Sequence, residues 1–266
     1  MLRQAGEYKE ARSALDQALA IREKCFGPDH LDVAASVHDL ALVVQDTGDL
    51  TGARALLERA LTIRSRSLPP RDPLLGLTFN SLGVVLRNSG DYPGAIAAHR
   101  KALEIREASL PPGHPETSVT LGQLAELMHL TGAYAGARAL YERTLDTRRK
   151  AFGEVNPRVA EAMSNLARLL QDTGDFARAR QLYDGALGMW QATVGPEHPF
   201  CAFAGAGLGR LLHAMGEEGE AERLLRSALG ILEHSMGPDH PLVALELEDL
   251  ADLLRERGDR AAAGSL

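Results

Sequence analysis

Amide and guanidinium side chains recur at matching positions along this chain, and groups of that kind recognise polypeptide rather than transform it. Ser81, Val84 and Arg87 run at spacings of i, i+3 and i+6, and so do Gln123, Glu126 and His129; Asn165, Arg168 and Gln171; and Gly207, Arg210 and His213. On a helix that spacing draws a single stripe. Asp39, Leu42 and Gln45 precede the series, and Asp249, Asp252 and Arg255 follow it, each triplet 42 residues from the next. Asn and Gln donate to and accept from a peptide backbone, and Arg forks onto a carboxylate. The candidate binding surface is Asn80, Arg87, Gln123, Glu126, His129, Asn165, Arg168, Gln171, Arg210 and His213. Around Arg168, Arg210 and His213 it is locally basic, which predicts acidic side chains in a ligand. For any one of these residues a solvated helix face is the plainer reading.

Catalytic chemistry needs a nucleophile with its base, convergent carboxylates, metal ligands or a phosphate cradle. The chain has no Gly-x4-Gly-Lys-Ser/Thr, His-Glu-x-x-His, Cys-x-x-Cys or Gly-x-Ser-x-Gly segment. Gly205-Ala206-Gly207-Leu208-Gly209 imitates a dinucleotide loop but lacks its third-glycine spacing and a preceding strand. No enzyme activity and no cofactor are expected. Histidine recurs at His30, His114, His198 and His240, with Asp72 and Asn156 in the same register and proline usually next. Asp and Asn are helix N-caps and proline suits the first helical position, so these histidines are expected to cap helices. As metal ligands they are poorly spaced.

Seven glycines, Gly6, Gly48, Gly90, Gly132, Gly174, Gly216 and Gly258, stand 42 residues apart, each followed five positions later by alanine. Such a period marks stacked supersecondary units. In residues 153–195, Val159, Met163, Leu166, Leu169 and Leu170 give the apolar face of a helix A. Gly174 ends it, Asp175 is placed to cap the next helix, and Phe176, Ala179, Leu182, Tyr183, Ala186, Leu187 and Met189 continue as helix B. The expected domain is one array over 1–266: a partial repeat 1–26, repeats at about 27–68, 69–110, 111–152, 153–194 and 195–236, and a partial repeat 237–266. Residues 5–24 read as a helix B without its helix A, and Asp259-Arg260-Ala261-Ala262-Ala263 as the start of another. An array cut within a unit at both ends suggests a piece of a longer protein, or ends that stack weakly on other copies.

Two departures stand out. Gly205 occupies a register held elsewhere by Val37, Phe79, Leu121, Met163 and Leu247, with Phe200 and Phe203 arriving nearby. A rearranged core is expected, with a local pocket or a bend as the alternative. Trp190 replaces Arg22, Arg64, Arg106 and Arg148, which read as surface residues, so it either covers that core or marks an exposed contact.

Composition agrees with tightly stacked helices: 45% hydrophobic residues but only 5% aromatic. A net charge of −7 argues against nucleic acid as the main ligand. No apolar run is long enough for a membrane span and the N-terminus has no signal-peptide pattern, so a cytoplasmic protein away from membranes is expected. Cys25 and Cys201 are about four repeats apart, too far to pair within a solenoid, which fits a reducing compartment.

The small residues carry a resemblance. Leu40-Ala41 is followed by Ala53, Leu57 and Ala60; Leu82-Gly83 by Ala95 and Ala102; Leu166-Ala167 by Ala179, Tyr183 and Ala186; and Leu208-Gly209 by Ala221, Leu225 and Ala228. This spacing resembles the tetratricopeptide repeat, and the 42-residue length with its Gly-x-x-His-Pro turn resembles the kinesin light chain type. Light-chain repeats read Asn-Asn-Leu-Ala in helix A, which only Ser164-Asn165-Leu166-Ala167 and Asn80-Ser81-Leu82-Gly83 approach. The resemblance implies an all-α, right-handed α-solenoid of antiparallel helical hairpins, with helix A lining a concave groove. It also implies a protein-interaction scaffold binding a peptide there, or alternatively a sensor or autoinhibitory arm whose partner is an adjacent domain of a longer chain.

Overall fold

A computed structural model describes residues 8–258, so Gly6 and the 259–263 segment lie outside the described residues. Among these residues there are twelve α-helices and no strand. The first compact unit, which ends at Ala133, holds α1 (Tyr8–Phe26), α2 (Leu31–Asp46), α3 (Leu50–Ser67), α4 (Pro73–Asn88), α5 (Tyr92–Ser109) and α6 (Pro115–Leu130). The second, from Tyr134, holds α7 (Tyr134–Phe152), α8 (Pro157–Asp172), α9 (Phe176–Val194), α10 (Pro199–Ala214), α11 (Glu218–Met236) and α12 (Pro241–Glu256). Within each unit every helix packs on the next, and the tightest pairs are the hairpins α2/α3, α4/α5, α8/α9 and α10/α11.

The punctuation predicted from sequence closes these helices. His30, His114, His198 and His240 each accept the amide of the second helical residue on Nδ1 at 3.2 Å, and Asp72 and Asn156 do so at 2.9 Å. An accepting Nδ1 puts the ring proton on Nε2. Gly174 adopts φ +81°, and the chain turns there so that Asp175 N–H donates to the Leu170 carbonyl at 2.8 Å.

The expected cap by Asp175 does not form. Asp49 and Asp91 cap α3 and α5 through Gly52 N and Gly94 N, where a Cβ would stand 2.4 and 2.6 Å from the carboxylate. Arg178 fills that position in α9, and the Asp175 carboxylate faces Arg138 and Arg178 instead, 3.9 Å from each.

In each hairpin the small residues let backbones approach. Ala41, Ala53 and Ala60 are fully buried around Leu57, as are Ala179 and Ala186 around Tyr183. A Cβ on Gly83 would lie 2.6 Å from the His99 ring, so only glycine admits that imidazole to the interior.

The helix B arginines are not surface residues, which corrects the sequence reading. Arg64, Arg106 and Arg148 are 3%, 4% and 8% exposed. Each sends Nη1 to the carbonyl ten residues on in the next helix A, Leu74, Glu116 and Arg158, at 3.2, 2.9 and 2.7 Å. Arg22, Arg64 and Arg106 also reach a hydroxyl fourteen residues on, Ser36, Thr78 and Thr120. Burial is tolerable because acceptors on the neighbouring helix take the Nη1 donors, although Nε of Arg106 and of Arg148 has no partner among the described residues.

Candidate functional site

Helix A supplies the polar stripe, and the structure sorts its residues by whether they are already engaged. In the first unit Asn80 is tied down: its amide oxygen accepts from the Thr120 hydroxyl at 3.1 Å and from Arg106 at 3.4 Å. Arg87 and Glu126 pair with each other at 2.8 Å. Gln123 is half-buried with Oε1 enclosed and without a partner, and His129 is half-buried near the end of α6. These side chains brace α4, α5 and α6 as much as they face outward.

In the second unit three predicted residues converge. Asn165 and Arg168 of α8 and Arg210 of α10 line one cavity of about 580 Å³. Gln171 and His213 are not among its walls; His213 Nε2 sits 3.3 Å from Glu256 of α12. Arg210 is engaged, with Nη1 at 2.6 Å from Asp249 and 3.6 Å from Glu246. Arg168 is exposed, and neither it nor Asn165 has a hydrogen-bond or ion-pair partner among the described residues. The cavity therefore presents an uncommitted amide and an uncommitted cation.

Its apolar side comes from residues outside the ten candidate groove positions, among them Trp190, Phe200 and Phe203, which the sequence marks as departures from the repeat. Tyr183 and Trp190 of α9 reach the cavity beneath Ala204 and Gly207 of α10, and a Cβ on Gly207 would stand 2.6 Å from the Tyr183 ring. Trp190 is buried, so it is a wall and not an exposed contact; its ring centroid lies 4.5 Å from that of Phe200, which is 6.5 Å from Phe203. Leu242, Leu245 and Glu246 of α12 complete the enclosure. Glu246 was missed altogether, although its register held a signal: it stands where Ser36, Thr78 and Thr120 accept the buried arginines.

Burial sets the electrostatics. It pushes the Glu246 carboxyl up to about 7, against the opposing pull of Arg210 and with a smaller upward push from Asp249. It likewise raises the Tyr183 phenol to about 12, although Arg210 and Arg168 favour its ionised form. Gly205 opens a second, smaller cavity of about 280 Å³ with Cys201, Leu224 and Ala228 on its walls, so the deleted side chain leaves a local pocket. Cys25 and Cys201 are both free thiols. Among the described residues no group of three or more His, Cys, Asp or Glu converges as a metal site, and no helix is long and apolar enough to cross a membrane.

Comparison with known proteins places this geometry. The sequence profile of the tetratricopeptide repeat matches residues 1–66, 74–150 and 158–234. No curated protein matches the sequence. Among solved structures, a kinesin light chain-type protein of Podosopora anserina with nearly identical TPR-like repeats is similar, with TM-score 0.68 at 24% identity over 78% of this chain and 98% of that one. BtubC (BKLC) from P. vanneervenii gives TM-score 0.74 at 22% identity over 88% and 94%. The STAND protein PH0952 of Pyrococcus horikoshii, which carries a tetratricopeptide repeat sensor, gives 0.77 at 16% identity, covering 98% of this chain and 38% of that one.

Proposed function

The chain belongs to the tetratricopeptide repeat family, and from that premise we propose that it is a noncatalytic interaction module whose helix A surface binds an extended segment of another protein. The observation that carries the reading is the pair Asn165 and Arg168, polar groups without hydrogen-bond or ion-pair partners among the described residues, beside a cavity of about 580 Å³ with aromatic walls. An extended peptide supplies what they lack. Its backbone pairs with the Asn165 amide, one carboxylate reaches Arg168, and a side chain enters the cavity. Arg87 and Arg210 already hold carboxylates of the same unit, so Arg168 is the cation most available to a ligand. The net charge of −7 favours a protein ligand over nucleic acid, and two free thiols suit a reducing, cytoplasmic setting.

The test selects binders from a displayed library of random seven-residue peptides and titrates synthetic copies against the fluorescence of Trp190, the sole tryptophan. Asn165→Ala and Arg168→Ala should each weaken binding about tenfold, in line with the loss of one charge-assisted or amide hydrogen bond. Arg100→Ala, on an exposed face of α5, should leave it unchanged. A library that yields no binder, or binders indifferent to both α8 substitutions, would overturn the proposal.

A further inference from the structure

The arginine register that braces the repeats breaks down at the cavity. Read as residues i and i+14, it runs Arg22 with Ser36, Arg64 with Thr78, and Arg106 with Thr120, a buried cation on a hydroxyl each time. Arg148 faces Ala162 and holds the Arg158 carbonyl and Glu161 instead. Trp190 and Ala204 come next, with neither a cation nor a hydroxyl, and then Leu232 and Glu246. At this last step the cation is absent and an acid stands in the hydroxyl's place.

Glu246 is thus a buried acid with no cation at its own place in the register, Leu232, and with Arg210 as its nearest charge. Its side chain is 5% exposed and lines the cavity. One carboxylate oxygen lies 3.6 Å from Arg210 Nη1, but that nitrogen is held more closely by Asp249 at 2.6 Å, and Glu246 Oε2 has no hydrogen-bond partner among the described residues. An enclosed acceptor without a donor is costly, and the cost is relieved by anything that brings one. The neighbouring walls select the kind of donor. Trp190 and Phe200 pack 4.5 Å apart, and aromatic faces attract guanidinium and ammonium groups. Leu242 and Leu245 suit the aliphatic stem of a long basic side chain. The remaining anion on the wall, Glu161, is paired with Arg148 at 3.0 Å.

We infer that the cavity receives an arginine or lysine side chain of the bound peptide, its cation drawn to the Glu246 carboxyl and against the Trp190–Phe200 pair, while Arg168 takes a carboxylate of the same peptide. The inference rests on the peptide-binding reading above and adds the ligand's chemistry to it: a segment carrying both a basic and an acidic group. The missing arginine of the repeat register is then supplied by the partner.

The experiment uses the peptides selected on the full chain. Expected is a basic residue at one fixed position of the selected sequences. Replacing it with citrulline, which removes the charge and keeps the shape of an arginine, should weaken binding at least tenfold on the parent chain and less than threefold on Glu246→Gln. Binders that depend on Asn165 and Arg168 but tolerate citrulline would overturn this inference and leave the peptide-binding reading standing. A library without any binder would overturn both. Should Glu246→Gln fail to fold, the citrulline exchange on the unaltered protein decides the matter: retained affinity sinks the basic-pocket assignment, and lost affinity supports it.

Discussion

An arginine that leaves water must find an acceptor for its guanidinium, and Arg64 finds two on one helix. Nη1 donates to the Leu74 carbonyl at 3.2 Å and to the Thr78 hydroxyl at 2.5 Å, so the residue fastens α3 to the first turns of α4. Burial lowers its pKa, which Asp39 and Asp72 oppose. Replacing it with methionine keeps the volume of the stem and removes both bonds. Arg64→Met should destabilise the first unit by roughly 1–3 kcal/mol, read as a lower urea midpoint by circular dichroism. The reason to assign that loss to the clamp, and not to packing, lies in a double-mutant cycle. Thr78→Val alone strands a buried donor, whereas Arg64→Met with Thr78→Val removes both partners, so the pair should cost clearly less than the sum of the singles. Strict additivity would mean that the two groups do not act together.

α10 shows how one element can carry opposite demands on the same residue type. A Cβ on Gly205 would meet no atom within 4 Å, while one on Gly207 would lie 2.6 Å from the Tyr183 ring and one on Gly209 2.9 Å from Leu225. Gly205→Ala should therefore stabilise the second unit by about 1 kcal/mol, the helix-propensity gain, and Gly207→Ala should lower its melting temperature despite the same gain. Melting curves that move the same way for both would contradict this packing. At this scale the sequence was most readable and also most misleading. Helix ends were legible because glycine at positive φ and histidine, Asp or Asn before proline leave few backbone alternatives, as Gly174 and His198 show. The gap at Gly205 was visible as a deleted side chain, but whether neighbours would collapse onto it depended on where Leu224 and Cys201 lie in space. The buried arginines were misread because residue type alone predicts exposure; the hydroxyl fourteen positions away, in the following repeat, betrays Arg64 and Arg106, whereas Arg148 has Ala162 there and carries no such signal. Glu246 escaped for the same reason: an acid looks solvated until its register is matched to Thr78 and Thr120. Of the ten candidate groove residues, Asn165, Arg168 and Arg210 are brought to one cavity, while Asn80 and Arg87 are spent on internal contacts that a stripe on one helix cannot show.

Repeat proteins hold together through neighbour contacts, so a buried titratable group changes the stability of its own surroundings more than that of distant repeats. Each compact unit carries such a group with a large shift near neutral pH, His99 in the first and Glu246 in the second, and the two respond to pH with opposite sign. His99, in the first unit, is lowered from 6.5 to about 4 by burial, with Arg87 and Arg106 adding to the effect. Between these values the unfolded chain binds a proton that the folded chain refuses, so the stability His99 contributes is complete above pH 6.5 and is lost as pH falls towards 4. Glu246, in the second unit, is raised from 4.5 to about 7 by burial. Here the folded chain keeps a proton that the unfolded chain has released, so stability is complete below pH 4.5 and is lost as pH rises through 7. Hydrogen exchange corrected for intrinsic rates separates the two responses from the carboxylates and histidines that both units share, if each variant is compared with its parent. Between pH 5 and pH 7.5, His99→Gln should make protection of α4 and α5 less acid-sensitive, and Glu246→Gln should raise protection of α12 at pH 7.5 while changing it little at pH 5. Parallel pH responses in parent and variants would mean that neither group is buried in the ionisation state these surroundings impose.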